Sequence, residues 1–279
     1  MAYHSVKSNS KNSENKLIGT SLTDKNEPIE NIKPIQKFNN IEGCRVGVLA
    51  YCTMLTGIYG AQNLVDALIA DGRFGTVTLI DGDIVLPTAQ YLLANFDSVI
   101  VVTDSTCSIP TPENISNSAA NALVGFSQGG GGIVISTFSF STCIGLGDAI
   151  FAPGFSPFQK VDCFNAFNGG VVDLESVGPA PICQCIFNGI TGPVNVNGFF
   201  YSNYVTLSPG ATLCATYTNG LGFAAVNSTG NIIGLNTFPF YAPDIENEQY
   251  RQIVANALLC VCRQKPTRGI KFSSLLNIK

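Results

Sequence analysis

Four apolar, β-branched runs alternate with three helical stretches between Arg45 and Thr137, and nothing else in the chain limits its fold as tightly. Arg45 to Tyr51 is almost continuously apolar, as a strand covered on both faces should be. Ala61, Leu64, Val65, Leu68 and Ile69 then recur at helical spacing, giving one buried stripe, and Gly72 stops the helix. Thr76 to Asp81 reads as a second strand and Ser98 to Thr103 as a third, with a short helix capped by Thr88 between them. Thr111-Pro112-Glu113 opens a helix toward Phe126 with a hydroxyl cap, a proline at the first helical position and an acid near the positive end of the dipole. Gly129 to Gly132 then turn the chain into a fourth strand, Ile133 to Thr137. Such strands and helices, in so short a span, pack economically only with right-handed crossovers. The fold class predicted is α/β, a doubly wound and mostly parallel sheet.

The rhythm breaks after Ser141. Residues 141 to 210 are rich in Gly, Asn, Pro and Phe and exceed any plain loop, so they are expected to form an irregular insertion over the carboxyl edge of the sheet. Its phenylalanines should fill a core of its own, an interaction surface being the alternative. Ala211 to Thr216, Leu221 to Val226 and Asn231 to Leu235 read as short strands joined by turns containing Asn219-Gly220 and Thr229-Gly230, a late antiparallel portion. Tyr250, Ile253, Val254, Ala257, Leu258 and Val261 mark a closing helix.

Residues 1–40 are polar and aperiodic and read as a flexible N-terminal arm, while residues 263–279 carry five basic residues and no acid and read as a basic tail. The body between them, 41–262, then holds four basic residues against fifteen acids, a net of −11, which speaks against nucleic-acid binding by the body. Only 12% of the chain is charged, a composition commoner in proteins that pack against copies of themselves or work outside the crowded cytosol, so a homo-oligomer or a structural partner protein is expected. No apolar run is long enough to span a bilayer, and Met1 to Lys7 lacks the apolar stretch of a secretory signal, so no membrane partner is expected and an intracellular or particle-borne setting is. The ten cysteines include no Cys-x-x-Cys pair, so no metal and no cofactor is expected. Most lie in apolar contexts and read as buried free thiols, with disulfides as the alternative.

Phe96-Asp97-Ser98-Val99-Ile100-Val101-Val102, Gly130-Gly131-Gly132-Ile133-Val134 and Gly234-Leu235-Asn236-Thr237-Phe238-Pro239 follow one another as three motifs. In this order the chain resembles the class I glutamine amidotransferase-like superfamily, in particular its ThuA-like (trehalose-utilisation-type) branch, over roughly residues 44 to 262. The resemblance implies a flavodoxin-like sheet with a nucleophilic cysteine on a sharp turn after the fourth strand and a His-Pro-Glu segment after the last. Here the matching places hold Thr137-Phe138-Ser139 and Phe238-Pro239-Phe240. The only histidine is His4, in the arm, so the body offers no imidazole to activate a Ser or Cys. Thr137, Phe138, Ser139, Phe238 and Phe240 are therefore read as degenerate catalytic positions.

What remains chemically is a set of polar groups at the carboxyl ends of the strands, where open α/β sheets bind ligands. Asp81 and Asp83 follow the second strand, Asp104 and Ser105 the third, and Asn236 the last. They could take a small molecule or an ion, or Asp81-Gly82-Asp83 could be an Asx turn with Asp104 a cap. Asn114-Ile115-Ser116 and Asn227-Ser228-Thr229 match the glycosylation sequon and read as chance matches. The expectation is a non-enzyme, a structural or self-assembling module such as a repeated component of a virion. The alternative is a ThuA-like hydrolase or a carbohydrate- or metal-binding protein working through the strand-end carboxylates.

Overall fold

The computed structural model describes residues 43–104, 106, 112–163, 165–196 and 202–262; both arms expected from the sequence, Ser105 and Thr111 lie outside them. The regular half runs β1 (Cys44–Tyr51), α1 (Ala61–Asp71), β2 (Phe74–Asp81), α2 (Ala89–Asn95), β3 (Ser98–Thr103), α3 (Glu113–Gln128) and β4 (Gly132–Ser136). The insertion supplies β5 (Ala166–Phe167), β6 (Gly170–Asp173), α4 (Pro181–Ile186), β7 (Val194–Val196) and β8 (Ser202–Asn203). The chain closes with β9 (Thr212–Tyr217), β10 (Gly222–Val226), β11 (Ile232–Leu235), α5 (Ala242–Ile245) and α6 (Glu248–Cys260).

Nine strands form one mixed sheet in the order β2-β1-β3-β4-β11-β10-β9-β6-β7. From β2 to β11 every pairing is parallel, and from β11 to β7 every pairing is antiparallel. The expected α/β class is therefore correct, and the late portion is antiparallel as its hairpin turns predict. Alternation along the strands divides the core in two. Val46, Val48, Ala50, Ile100, Val102 and Val134 face α1, α5 and α6. Leu49, Tyr51, Val99, Val101, Ile133 and Ile135 face α2 and α3. Asp97 fixes the start of this stack, taking a two-pronged ion pair from the Arg45 guanidinium and a bond from the Arg45 backbone N–H.

Two sequence expectations are corrected. The insertion does more than lie over the sheet edge: β6 and β7 lengthen the sheet itself, while β5 and β8 make a separate two-stranded piece. Nor do its phenylalanines make a core of their own. Phe140 and Phe158 join the α2–α3 side, meeting edge to face at 5.4 Å, and Phe167 and Phe187 join the other. Phe158 presses on the sheet so closely that a Cβ on Gly234 would lie 2.7 Å from its ring, which explains the glycine in β11.

The cysteines are also corrected. Every described cysteine is disulfide-bonded: Cys44–Cys262, Cys143–Cys163, Cys183–Cys214 and Cys185–Cys260 are paired, and Cys52 is bonded too. An apolar context suits a cystine as well as a thiol, so local sequence could not separate them. From α4, Cys183 reaches β9 and Cys185 reaches α6. Cys44–Cys262 joins the first residue of β1 to the last described residue, beyond α6.

Candidate functional site at the carboxyl edge

β4 ends at Ser136, and two residues later Phe138 turns with φ 53°, a left-handed conformation that costs a non-glycine residue energy and recurs at active-site turns. This is the sharp elbow on which the resemblance places a nucleophile, and its side chain is a benzyl group. The Phe138 ring packs on Phe238, centroids 5.8 Å apart, and Phe238 packs edge-on to Phe240 at 5.6 Å. Phe238 and Phe240 are fully buried and Phe138 half-buried. The degenerate positions named from the sequence therefore meet, as three aromatic rings.

An oxyanion site requires backbone N–H groups left open to a substrate. At this elbow they are engaged: Thr137 N–H donates to the Thr237 carbonyl at 3.1 Å, Phe138 N–H to Asn203 Oδ1 at 3.3 Å and Ser139 N–H to the Ser136 carbonyl at 3.2 Å. The Ser139 hydroxyl, buried, turns away to the Val101 carbonyl.

Asn203 escaped the sequence reading, because nothing periodic marks it within the insertion. Its Oδ1 also accepts from the Thr137 hydroxyl at 2.8 Å. Asn236, named above as a candidate ligand group, proves to hold Asn203 in place. Its Oδ1 accepts from Asn203 N–H at 2.7 Å and from the Thr137 hydroxyl, while its Nδ2 donates to the Asn203 carbonyl at 2.7 Å and the Gly222 carbonyl at 2.9 Å. With 0% exposure and its amide fully committed, Asn236 has nothing left for a ligand. It imitates a strand pairing and ties β8 to the elbow.

The acids lie farther along the edge. Asp81 Oδ1 accepts from Asp83 N–H at 3.1 Å, an Asx turn, and both Asp83 oxygens accept from Cys52 N–H. Desolvation raises the Asp83 carboxyl above the ordinary range, the Asp81 charge adds to this, and the Cys52 N–H opposes it. Asp104 donates its backbone N–H to the Tyr51 carbonyl. Among the described residues no group of three or more His, Cys, Asp or Glu side chains could hold a metal ion. Cys52, at the turn after β1, is with Phe138 one of two non-glycine residues with left-handed backbone among the described residues. Around it three buried hydroxyls, those of Tyr51, Thr53 and Thr103, have no hydrogen-bond partner among the described residues. Tyr51 and Thr103 are register partners on β1 and β3. Burial, and secondarily the charge of Asp83, pushes the Tyr51 phenol far above its usual range.

No protein-family model matches the chain, and no curated protein matches it. Solved structures do. A ThuA-like protein from Bacteroides uniformis superposes with a TM-score of 0.50 at 12% identity, covering 80% of this chain and 94% of its own. A glutamine amidotransferase from Thermotoga maritima gives 0.49 at 10% identity, covering 77% and 96%. A GMP synthase protein from Thermoplasma acidophilum gives 0.46 at 13%, covering 77% and 94%. The fold is thus that of the ThuA-like protein.

Proposed function

We propose that the chain is a non-catalytic amidotransferase-like domain that serves as a structural or assembly module. The elbow carries this reading: Phe138 keeps the left-handed backbone of a nucleophile's seat, presents an aromatic ring there, and has its N–H closed off by Asn203. An assembly role draws support from the loops after β1 and β2, which are neighbours because those strands pair. They expose Met54 (46%), Ile58 (53%), Ile84 (81%) and Leu86 (39%), half of the large apolar side chains exposed among the described residues. The disulfides favour folding in an oxidising compartment, since cystines seldom persist in a reducing cytosol.

A second reading, a small polar ligand bound at the carboxyl ends of β1 and β3, is favoured by one observation, the unpartnered hydroxyls of Tyr51, Thr53 and Thr103. Three measurements test the readings. The full-length chain incubated with glutamine and with simple esters should release nothing above background, and light scattering should find assemblies larger than one chain. A turnover abolished by Ser139→Ala or Asp104→Asn would overturn the non-catalytic reading, and a monomer at high concentration the assembly role. Heat on titrating simple polyols, lost in Thr103→Val, would establish the second.

A further inference from the structure

Both sequons fall in described structure, and the fold treats them oppositely. Asn227, in the turn between β10 and β11, is 4% exposed. Its Nδ2 donates to the Gly154 carbonyl at 2.9 Å, to Thr229 Oγ1 at 2.8 Å and to Asn231 Oδ1 at 3.2 Å, and its Oδ1 accepts from the N–H groups of Asn231 and Ile232. A sugar on that nitrogen would leave a single N–H for three acceptors and would have to fit inside the turn. Asn114 stands exposed in the first turn of α3, and its side chain enters no hydrogen bond among the described residues.

The disulfides say where the chain folds. Cys183 and Cys214 are each 0% exposed, so their bond lies beneath closed core and must form while the chain is folding, in an oxidising compartment. Asparagine-linked glycosylation takes place on chains entering such a compartment. We propose that Asn114 is an N-glycosylation site and that Asn227, despite its sequon, is not one in the folded protein. The donor is an oligosaccharide on a lipid diphosphate, delivered by a membrane oligosaccharyl transferase while the sequon is still extended. Asn114 Nδ2 forms a bond to the sugar's anomeric carbon as the bond from that carbon to the diphosphate oxygen breaks. One amide proton is lost, the lipid diphosphate leaves with the bonding pair, and no oxidant or reductant is involved. On the folded domain the glycan stands at the start of α3, on the α2–α3 layer of the sheet.

The test uses the protein purified from the cells that make it, treated with peptide N-glycosidase in heavy-oxygen water and mapped by mass spectrometry. Conversion of Asn114 to heavy-oxygen-labelled aspartate, with Asn227 unconverted, is the expected result. An unlabelled Asn114, or label at Asn227 in folded protein, overturns the proposal. In the same cells Asn114→Gln should abolish the mass difference that glycosidase treatment otherwise produces; a difference that persists counts equally against it.

Discussion

From Cys44 to Ser136 strand alternation and helical stripes dominate, with cystines at Cys44 and Cys52 among the described residues, whereas from Cys143 to Val196 short strands are tied by four bonded cysteines. In the first stretch Leu64, Leu68, Val99, Val101, Leu123 and Phe126 are wholly buried, and parallel pairing joins β1 to β2 and β3, and β3 to β4. In the second, strands are two to four residues long, and every described cysteine is cross-linked, two of them reaching out to β9 and α6. Short strands bury too little apolar surface to offset the entropy of ordering their connections, and a covalent bond supplies the difference by shrinking the unfolded ensemble. One domain thus contains a part with long strands and few cross-links and a part with short strands and many.

Reduction should separate the two parts, and it is the largest effect expected. With the disulfides cleaved and the thiols blocked, amide exchange should accelerate through β6, α4 and β7 while β1, β3 and β4 stay protected. Uniform loss of protection would show that the cross-links support the whole sheet. The bonds should yield in order of exposure: Cys185 lies at the surface with Cys260 half-buried, so that bond opens under mild reductant, and the buried Cys183–Cys214 bond opens last. Replacing Cys183 and Cys214 together by alanine should cost about 2–5 kcal/mol in denaturant titration.

Asn236 ties β8 to the elbow after β4, and its removal is the next effect in size. Asn236→Leu leaves the Asn203 N–H and carbonyl and the Thr137 hydroxyl buried with fewer partners, a loss of roughly 3 kcal/mol. Asn236→Asp keeps the acceptor but points a carboxylate oxygen at the Asn203 and Gly222 carbonyls, so its penalty should be larger at pH 7 than at pH 3. Equal penalties at the two pH values would mean that β8 moves away and the clamp is not rigid.

The same division governs what could be read from sequence. Strands β1 to β4 and helices α1 and α6 were legible because a half-buried helix or a twice-covered strand imposes a period on its own residues. So was the elbow, where Phe138, Phe238 and Phe240 stand in places fixed by neighbouring strands. Nothing comparable marks Asn203, whose role depends on Asn236, thirty-three positions away, and on a backbone turn at Phe138. Cystine pairing is likewise a property of the folded distance between two residues, and an apolar flank around Cys214 fits either redox state. Asn236 was singled out as polar at a strand end, which is right about its position, yet sequence could not tell that its partners are protein groups.

The smallest effect compares two buried tyrosines, one hydrogen-bonded and one not. Tyr250 on α6 shares a hydrogen bond with the Thr237 hydroxyl at 2.9 Å, while the Tyr51 hydroxyl at the end of β1 has no partner among the described residues. Tyr250→Phe should therefore cost about 1 kcal/mol, and Tyr51→Phe should be neutral or slightly stabilising, because it removes a buried polar atom that makes no bond. Burial raises both phenols above their ordinary value of 10.0. In that range the unfolded chain loses these two protons and the folded chain keeps them, so folding holds protons that unfolding releases. Stability is then full below pH 10 and falls as the pH climbs past it, with the phenolate absorbance of these two residues appearing only on unfolding. Tyr51→Phe should make that alkaline decline shallower by one residue's share. If phenolate absorbance from Tyr51 instead rises before the fold is lost, the carboxyl edge of β1 and β3 is open to solvent. The three unpartnered hydroxyls there would then be met by water and would give no support to a ligand.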